Sequence, residues 1–193
     1  MQTADLAVPL DKITSNRVCY EDFREINGLL LNAQRKSLTD IRKNFPAWNL
    51  EHLEHEEDIL WTPELESNES CAERGYQGLQ WVLGRPENKI LVCAHGGILS
   101  MVMAEHSMVQ VVDGRKSTIA NDESETKDAD ADVNSPRTAA TRFENCELRR
   151  YRIQWNSSEG DEKKIILTEL DLDHEHIAGE EEEEQAKETM TSL

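Results

Sequence analysis

The chain has 193 residues, of which 37% are hydrophobic and 31% are charged, and its formal net charge is −18. This length suits one domain with a sizeable core. The excess of carboxylates argues against nucleic acid and anionic membranes as partners, because phosphate groups are bound by Lys and Arg. No stretch reaches transmembrane length and the first residues lack the form of a signal peptide, so the sequence predicts a soluble, cytoplasmic protein.

The first third of the chain contains weak elements and one clear helix start. Residues 1–7 predict a helix that lacks an N-cap, and residues 17–20 predict a short strand. Ser37 and Asp40 have the spacing of a capping box, which predicts a helix that ends before Pro46. His52 and His55 lie among five carboxylates, where a solvated acidic face is favoured over a metal site because no third ligand is indicated.

The best helix of the sequence is predicted over residues 67–83. Ser67 or Asn68 can cap its start, and Gly84 and Pro86 end it. Four side chains share one face at helical spacing, which predicts that this face is buried: Ala72, Tyr76, Leu79 and Leu83.

A buried strand is predicted over residues 90–94, followed by a glycine turn at Gly96 and Gly97 and a helix over residues 98–103. The start of a helix offers unpaired main-chain N–H groups and a favourable dipole to anions. His95, placed at this turn, can donate to a phosphate oxygen or transfer a proton near neutral pH. The alternative is a buried histidine whose ring is satisfied by the main chain.

The remainder of the sequence alternates between acidic and structured segments. Residues 113–138 predict a disordered acidic insertion, and residues 150–155 predict a half-exposed strand. Ile166, Thr168 and Leu170 predict an antiparallel strand that returns beside it. Five consecutive glutamates lie within residues 173–193, which predict a disordered acidic tail that a basic protein partner could bind. The domain itself is therefore predicted over residues 1–172.

The four cysteines show no paired spacing along the chain: Cys19, Cys71, Cys93 and Cys146. Cys93 falls within the predicted strand. Reduced thiols are therefore predicted rather than disulfides.

Four pieces of the sequence, taken in order, resemble the histidine phosphatase superfamily, which is also called phosphoglycerate-mutase-like. Residues 23–28 (FREING) resemble the segment with the acidic proton donor, and residues 91–97 (LVCAHGG) resemble the second-histidine strand and turn. Residues 35–46 together with 54–63, and residues 143–149, resemble a branch found in plants, algae and microbes. The resemblance implies an α/β fold of phosphoglycerate mutase type, with a mostly parallel sheet flanked by helices.

The same resemblance implies the chemistry and its residues. The family hydrolyses or transfers phosphoryl groups through a phosphohistidine, without metal or cofactor, on a phosphorylated small molecule. His95 matches the second histidine, which stabilises the transferring phosphoryl group, and Glu25 matches the acid. Gly96 offers its main-chain N–H to the phosphate of a phosphorylated small molecule or to inorganic phosphate. Arg35 matches an accessory phosphate contact.

Two family landmarks are not found in these residues. His95 is the only histidine followed by Gly, and Ala94 precedes it, so the Arg-His-Gly motif of the nucleophile is absent. Residues 2–4 (QTA) resemble the end of the family stretch Ser-Pro-Leu-x-Arg-x-x-Gln-Thr-Ala. The resemblance therefore predicts an amino-terminal truncation that removes the phosphate-gripping Arg, the nucleophile and the first strand.

Three hypotheses follow for function. The first is a phosphatase whose full-length form includes the missing motif, this chain alone being weak or inactive. The second is a catalytically dead pseudoenzyme that binds phosphate at His95. The third is an acidic interaction protein whose charged segments bind basic partners.

Overall fold

The computed structural model describes residues 1–7, 17–29, 31–114, 142–156 and 163–172. Four α-helices lie in these ranges: α1 (Gln2–Ala7), α2 (Leu38–Asn44), α3 (Asn68–Leu83) and α4 (Gly96–Glu105). The five strands are β1 (Arg17–Val18), β2 (Trp48–Asn49), β3 (Val109–Asp113), β4 (Arg150–Trp155) and β5 (Ile165–Leu170). The predicted acidic insertion, beyond Gly114, and the predicted tail over residues 173–193 lie outside the described residues.

The strands form two small sheets. In the first, β1 pairs in parallel with β2, and α2 lies between them in the chain. In the second, β5 lies in the middle, parallel to β3 and antiparallel to β4. Two of these three pairings are parallel, so the predicted α/β class with a mostly parallel sheet is confirmed.

The predicted helix starts are confirmed by their caps. Ser37 Oγ accepts from the main-chain N–H of Asp40 at 3.1 Å, and Ser67 Oγ accepts from that of Ser70 at 3.2 Å. Each cap supplies an acceptor to one of the N–H groups that a helix start leaves unpaired. Gly84 caps the end of α3, as its position predicts.

The main core lies between helices α3 and α4 and strand β5. Leu79 and Val82 of α3 pack with Val102 of α4 and with Ile165 and Leu167 of β5. The two helices approach closely at Gly75, where an added methyl group would lie 2.8 Å from Cβ of Val102. This close contact fixes the start of α4 relative to α3.

The prediction of a strand over residues 90–94 is wrong. Val92 and Ala94 pack against the core, but Ile90 and Leu91 are 40% and 54% exposed and Cys93 is exposed. A strand requires a neighbour with which its main chain exchanges hydrogen bonds. In the described ranges no strand is assigned beside these residues, and apolar composition alone does not supply one.

The strands after α4 also differ from the sequence expectation. The sequence predicts no strand over residues 104–112, where the structure has most of β3, and only its last residue, Asp113, falls in the predicted insertion. Strand β5 is antiparallel to β4 as predicted. Its buried residues are Ile165, Leu167 and Glu169, so Ile166, Thr168 and Leu170 lie on the less buried face.

The thiols and the membrane prediction can be compared directly with the structure. All four cysteines are free, as predicted. No helix in the described part of the chain is long and apolar enough to cross a membrane.

The face of β5 gives a matched test of the core. Ile165 is fully buried, whereas its neighbour Ile166 is only partly buried. We expect Ile165→Ala to lower the free energy of unfolding by about 2–5 kcal/mol, because it leaves a cavity, and Ile166→Ala to cost less than half as much. Urea denaturation of both variants measures this difference, and equal losses would contradict the assigned face.

Candidate active site

His95 lies immediately before helix α4, at its N-cap position. Its main chain is extended, with φ −112° and ψ 155°, and its ring does not cap the helix. The side chain is 65% exposed. The ring is therefore available to a ligand in solvent, and the alternative of a buried histidine satisfied by the main chain does not describe it.

The carboxylate of Glu25 lies at the start of the same helix. Its Oε1 accepts from the N–H of Ile98 at 3.0 Å, and its Oε2 accepts from the N–H of Gly97 at 3.4 Å. Oε1 also accepts from the N–H of Ile26 at 2.9 Å. The helix start that the sequence predicted as an anion site thus holds a carboxylate of the chain itself, as its dipole and unpaired N–H groups favour.

The structure brings His95 and Glu25 together. Nδ1 of His95 lies 4.0 Å from Oε2 of Glu25, and the Glu25 side chain is 40% exposed. A carboxylate and an imidazole side by side at an open helix start can respectively carry a proton and contact an anion.

The glycine turn makes this arrangement possible. A methyl group on Gly97 would overlap Oε1 of Glu25, so any larger residue would displace the carboxylate. A methyl group on Gly96 would lie 3.7 Å from its nearest neighbour, the carbonyl oxygen of Phe143. Only the second glycine of the pair is therefore required by contact with Glu25.

Arg35 does not join this pair in the described structure. Its Nε donates to Glu21 Oε1 at 2.9 Å. The remaining guanidinium hydrogen bonds go to main-chain carbonyl oxygens of Lys36, His55, Glu56 and Glu57. These acceptors occupy the guanidinium and hold the chain over residues 55–57, and no contact with His95 or Glu25 is found among the described residues.

Arg74 and Glu66 are part of the site's surroundings that the sequence analysis missed. Arg74 of α3 donates to the carbonyl oxygens of Asp22, Arg24 and Glu25, and it forms an ion pair with Glu66. The only signal in the sequence was a Glu and an Arg eight residues apart at the start of a predicted helix, which does not indicate what else they contact.

Arg24 and Asp58 form a second ion pair beside the acid segment. The guanidinium of Arg24 binds both Asp58 oxygens, at 2.9 and 2.7 Å. Asp58 also accepts from the main-chain N–H groups of Arg35, Leu60 and Trp61. Burial raises the pKa of Asp58, but the hydrogen bonds and charge of Arg24 and the main-chain donors outweigh it, so its pKa lies well below the ordinary range.

The other histidines within the described ranges do not extend the site. His52 contacts the rings of Tyr20 and Trp81, and His106 stacks on Tyr76 and contacts Glu73. His55 is exposed. No group of three or more His, Cys, Asp or Glu side chains able to hold a metal ion occurs in the part of the chain that the structure describes.

The family model of the histidine phosphatase superfamily (branch 1) matches residues 1–132, which include Glu25, Arg35 and His95. The chain belongs to this superfamily. The match ends before residues 143–149, so that part of the resemblance is not covered by it. No solved structure matches the chain significantly.

Curated relatives of this histidine phosphatase family member come from Arabidopsis thaliana. The chain is 38% identical to phosphoglycerate mutase-like protein 1 over 83 residues, which are 42% of this chain and 29% of that protein. It is 28% identical to phosphoglycerate mutase-like protein 2 over 119 residues, or 61% of this chain and 29% of that protein. A further phosphoglycerate mutase-like protein is 36% identical over 67 residues, which are 34% of this chain and 25% of that protein. The aligned part thus spans less than a third of each relative.

The two glycines at the start of α4 provide a test of the position of Glu25. Both substitutions Gly96→Ala and Gly97→Ala remove the same backbone freedom at one helix start. Only the methyl group at Gly97 displaces the carboxylate from its N–H donors. We expect Gly97→Ala to be about 1–2 kcal/mol less stable than Gly96→Ala, since it loses charge-assisted hydrogen bonds. Equal free energies of unfolding in urea would contradict this position of Glu25.

The lowered pKa of Asp58 predicts a specific dependence of stability on acid. A carboxyl group with a lowered pKa in the folded state contributes stability above its unfolded pKa of about 4, and loses it as the pH falls further. We expect Asp58→Asn to cost about 2 kcal/mol or more at pH 7, because Arg24 loses the carboxylate that binds it through two hydrogen bonds. The difference from wild type should shrink below about pH 4.

Thermal or urea unfolding at a series of pH values measures this dependence. Glu87→Gln is the matched control, because Glu87 pairs with Arg85 at the surface, where an ion pair contributes little. A difference between wild type and Asp58→Asn that does not change with pH would contradict the assigned role of Asp58.

Proposed function

We propose that this chain supplies half of a phosphoryl-transfer site, with His95 as the phosphate-contacting histidine and Glu25 as the proton donor and acceptor. The reaction is hydrolysis or transfer of a phosphoryl group of a phosphorylated small molecule through a phosphohistidine. The observation that supports this proposal best is the adjacency of His95 and Glu25 at the start of α4.

His95 can stabilise a phosphoryl group by donating from its ring. The ring is exposed, makes no cap hydrogen bond, and lies at the positive end of the α4 dipole. Donors that face the transferring oxygens lower the barrier when they are already in place before the reaction. Because Glu25 takes the N–H groups of Gly97 and Ile98, the N–H of Gly96 is the one that we expect to face a phosphate oxygen.

The position of Glu25 supports a role in acid–base chemistry. Its carboxyl group lies beside the imidazole and is partly open to solvent, so a leaving alkoxide or a water molecule can reach it. In its protonated form it would protonate the leaving group, and as a carboxylate it would then activate the attacking water.

The nucleophile is the part that these 193 residues do not provide, since they contain no Arg-His-Gly. We therefore propose that the complete reaction uses a histidine from a longer form of the protein. The phosphate-binding pseudoenzyme is the second candidate, because the same His95 and Glu25 arrangement can bind phosphate without forming a phosphohistidine. Loss of a covalent nucleophile ordinarily removes several orders of magnitude in rate.

Titration of the 193-residue chain with inorganic phosphate tests the proposal by NMR. We expect the His95 ring resonances to shift as phosphate is added and to reach a plateau. We expect His95→Ala to abolish this response. His55→Ala is the matched control, because His55 is also an exposed histidine but is not next to α4 in the chain, and its removal should leave the response unchanged. A His95 spectrum that does not respond to millimolar phosphate would contradict the proposal.

The assigned role of His95 is tested separately by incubating the chain with a phosphomonoester. We expect no phosphohistidine on His95, by ³¹P NMR and by mass spectrometry, because this residue contacts the phosphoryl group and does not attack it. A phosphoryl group found on His95 would show that it is the nucleophile and would overturn that role.

A further inference from the structure

We propose that Arg74 and Glu66 are positioning residues that hold Glu25 against the start of α4. The inference rests on the proposed function, because it concerns how the acid of that site is oriented. Neither residue touches His95, and both act through the main chain on either side of Glu25.

Arg74 holds the main chain before and at Glu25. Its Nη1 donates to the carbonyl oxygens of Asp22 and Arg24 at 2.8 and 2.9 Å, and its Nη2 donates to that of Glu25 at 3.3 Å. The Arg74 side chain is partly buried, with 14% exposed. One guanidinium therefore fixes three carbonyl groups within four consecutive residues.

Glu66 holds the main chain after Glu25. Its oxygens accept from Arg74 Nε at 3.0 Å and Nη2 at 2.7 Å, and its Oε2 also accepts from the N–H of Asn27 at 3.0 Å. The main-chain N–H of Glu66 in turn donates to the carbonyl oxygen of Asn27 at 2.9 Å. Burial raises the pKa of Glu66, but the hydrogen bonds from Arg74 and Asn27 outweigh this and lower it.

The packing of α3 on α4 explains why the ion pair of Arg74 with Glu66 controls where Glu25 lies relative to α4. Arg74 precedes Gly75, at which α3 packs closely on Val102 of α4. Arg74 and the amide groups of Gly97 and Ile98 therefore belong to one packed pair of helices. The carboxylate of Glu25 is itself 40% exposed, so packing alone does not hold it. Its position follows from the main chain on either side of it, which Arg74 holds at residues 22–25 and Glu66 holds at Asn27.

Arginine is needed here for its shape as well as for its charge. A lysine at position 74 can keep an ion pair with Glu66, but a single ammonium cannot reach three carbonyl oxygens and both carboxylate oxygens. Arg74→Lys therefore keeps the positive charge and removes most of the hydrogen bonds to the main chain around Glu25. Glu66→Gln keeps the size of the side chain, removes its charge, and leaves one acceptor oxygen where two accept from Arg74 and Asn27.

The experiment compares the amide resonance of Ile98 at neutral pH in the ¹⁵N-labelled chain and in its variants. Glu25→Gln replaces the charged acceptor of the Ile98 N–H by a neutral one, and so marks the position of the resonance without the charge-assisted hydrogen bond. We expect Arg74→Lys and Glu66→Gln to move the Ile98 resonance at least about half of the way to that position, while resonances elsewhere in α3 stay in place.

Arg85→Lys is the matched control. Arg85 also binds a glutamate through Nε and Nη2, Glu87 at 3.0 and 2.7 Å, but this pair is not connected to the Glu25 segment. We expect Arg85→Lys to leave the Ile98 resonance at its wild-type position.

Two outcomes would overturn the proposal. One is an Ile98 resonance at its wild-type position in both Arg74→Lys and Glu66→Gln. The other is a general loss of dispersed resonances in both variants, because the pair would then hold the whole fold rather than the position of Glu25. The readout does not depend on phosphate, so it is distinguishable from a failure of the proposed function, which would appear as an unresponsive His95 in the wild type.

Discussion

The start of helix α4 is the point on which the rest of the site depends. The first N–H groups of any helix lack acceptors within it and carry partial positive charge. Here the Glu25 carboxylate, brought from a distant part of the chain, supplies acceptors to Gly97 and Ile98. The close packing of α3 on α4, the ion pair of Arg74 with Glu66 and the absence of a side chain at Gly97 all serve this single contact.

The sequence indicated the elements whose signals are local. Ser37 and Ser67 cap helices as predicted, and the strand at Arg150–Trp155 follows from alternation over adjacent residues. The site residues Glu25 and His95 came from resemblance to a family, and the structure places them 4.0 Å apart. That distance was not available from spacing, because it depends on how α3 and α4 pack.

Properties that depend on contacts between distant segments were not predicted. Residues 90–94 have the composition of a strand, but strand formation depends on a neighbouring main chain, which composition does not report. The role of Arg74 depends on carbonyl groups about 50 residues earlier in the chain. Arg35 has the residue type of a phosphate ligand, yet its donors are already directed to Glu21 and to main-chain carbonyl oxygens.

The exposure of the site limits what His95 and Glu25 contribute by themselves. Charge interactions in contact with water are screened, and oxyanion stabilisation is strongest where water is excluded. The side chains of His95 and Glu25 are 65% and 40% exposed. The proposed phosphate contact, His95, and the proposed acid, Glu25, therefore stand in an open arrangement.

The hydrogen bond from Ile98 to Glu25 is the central claim, and it can be detected directly. A scalar coupling across a hydrogen bond connects the donor nitrogen with the acceptor carbon, and a long-range HNCO experiment tuned to side-chain carboxyl carbons records it at neutral pH. A cross-peak between the Ile98 amide and the Glu25 carboxyl carbon is predicted. Its absence, with the couplings of the α3 main-chain hydrogen bonds observed in the same spectrum, would contradict the placement of Glu25 at the start of α4.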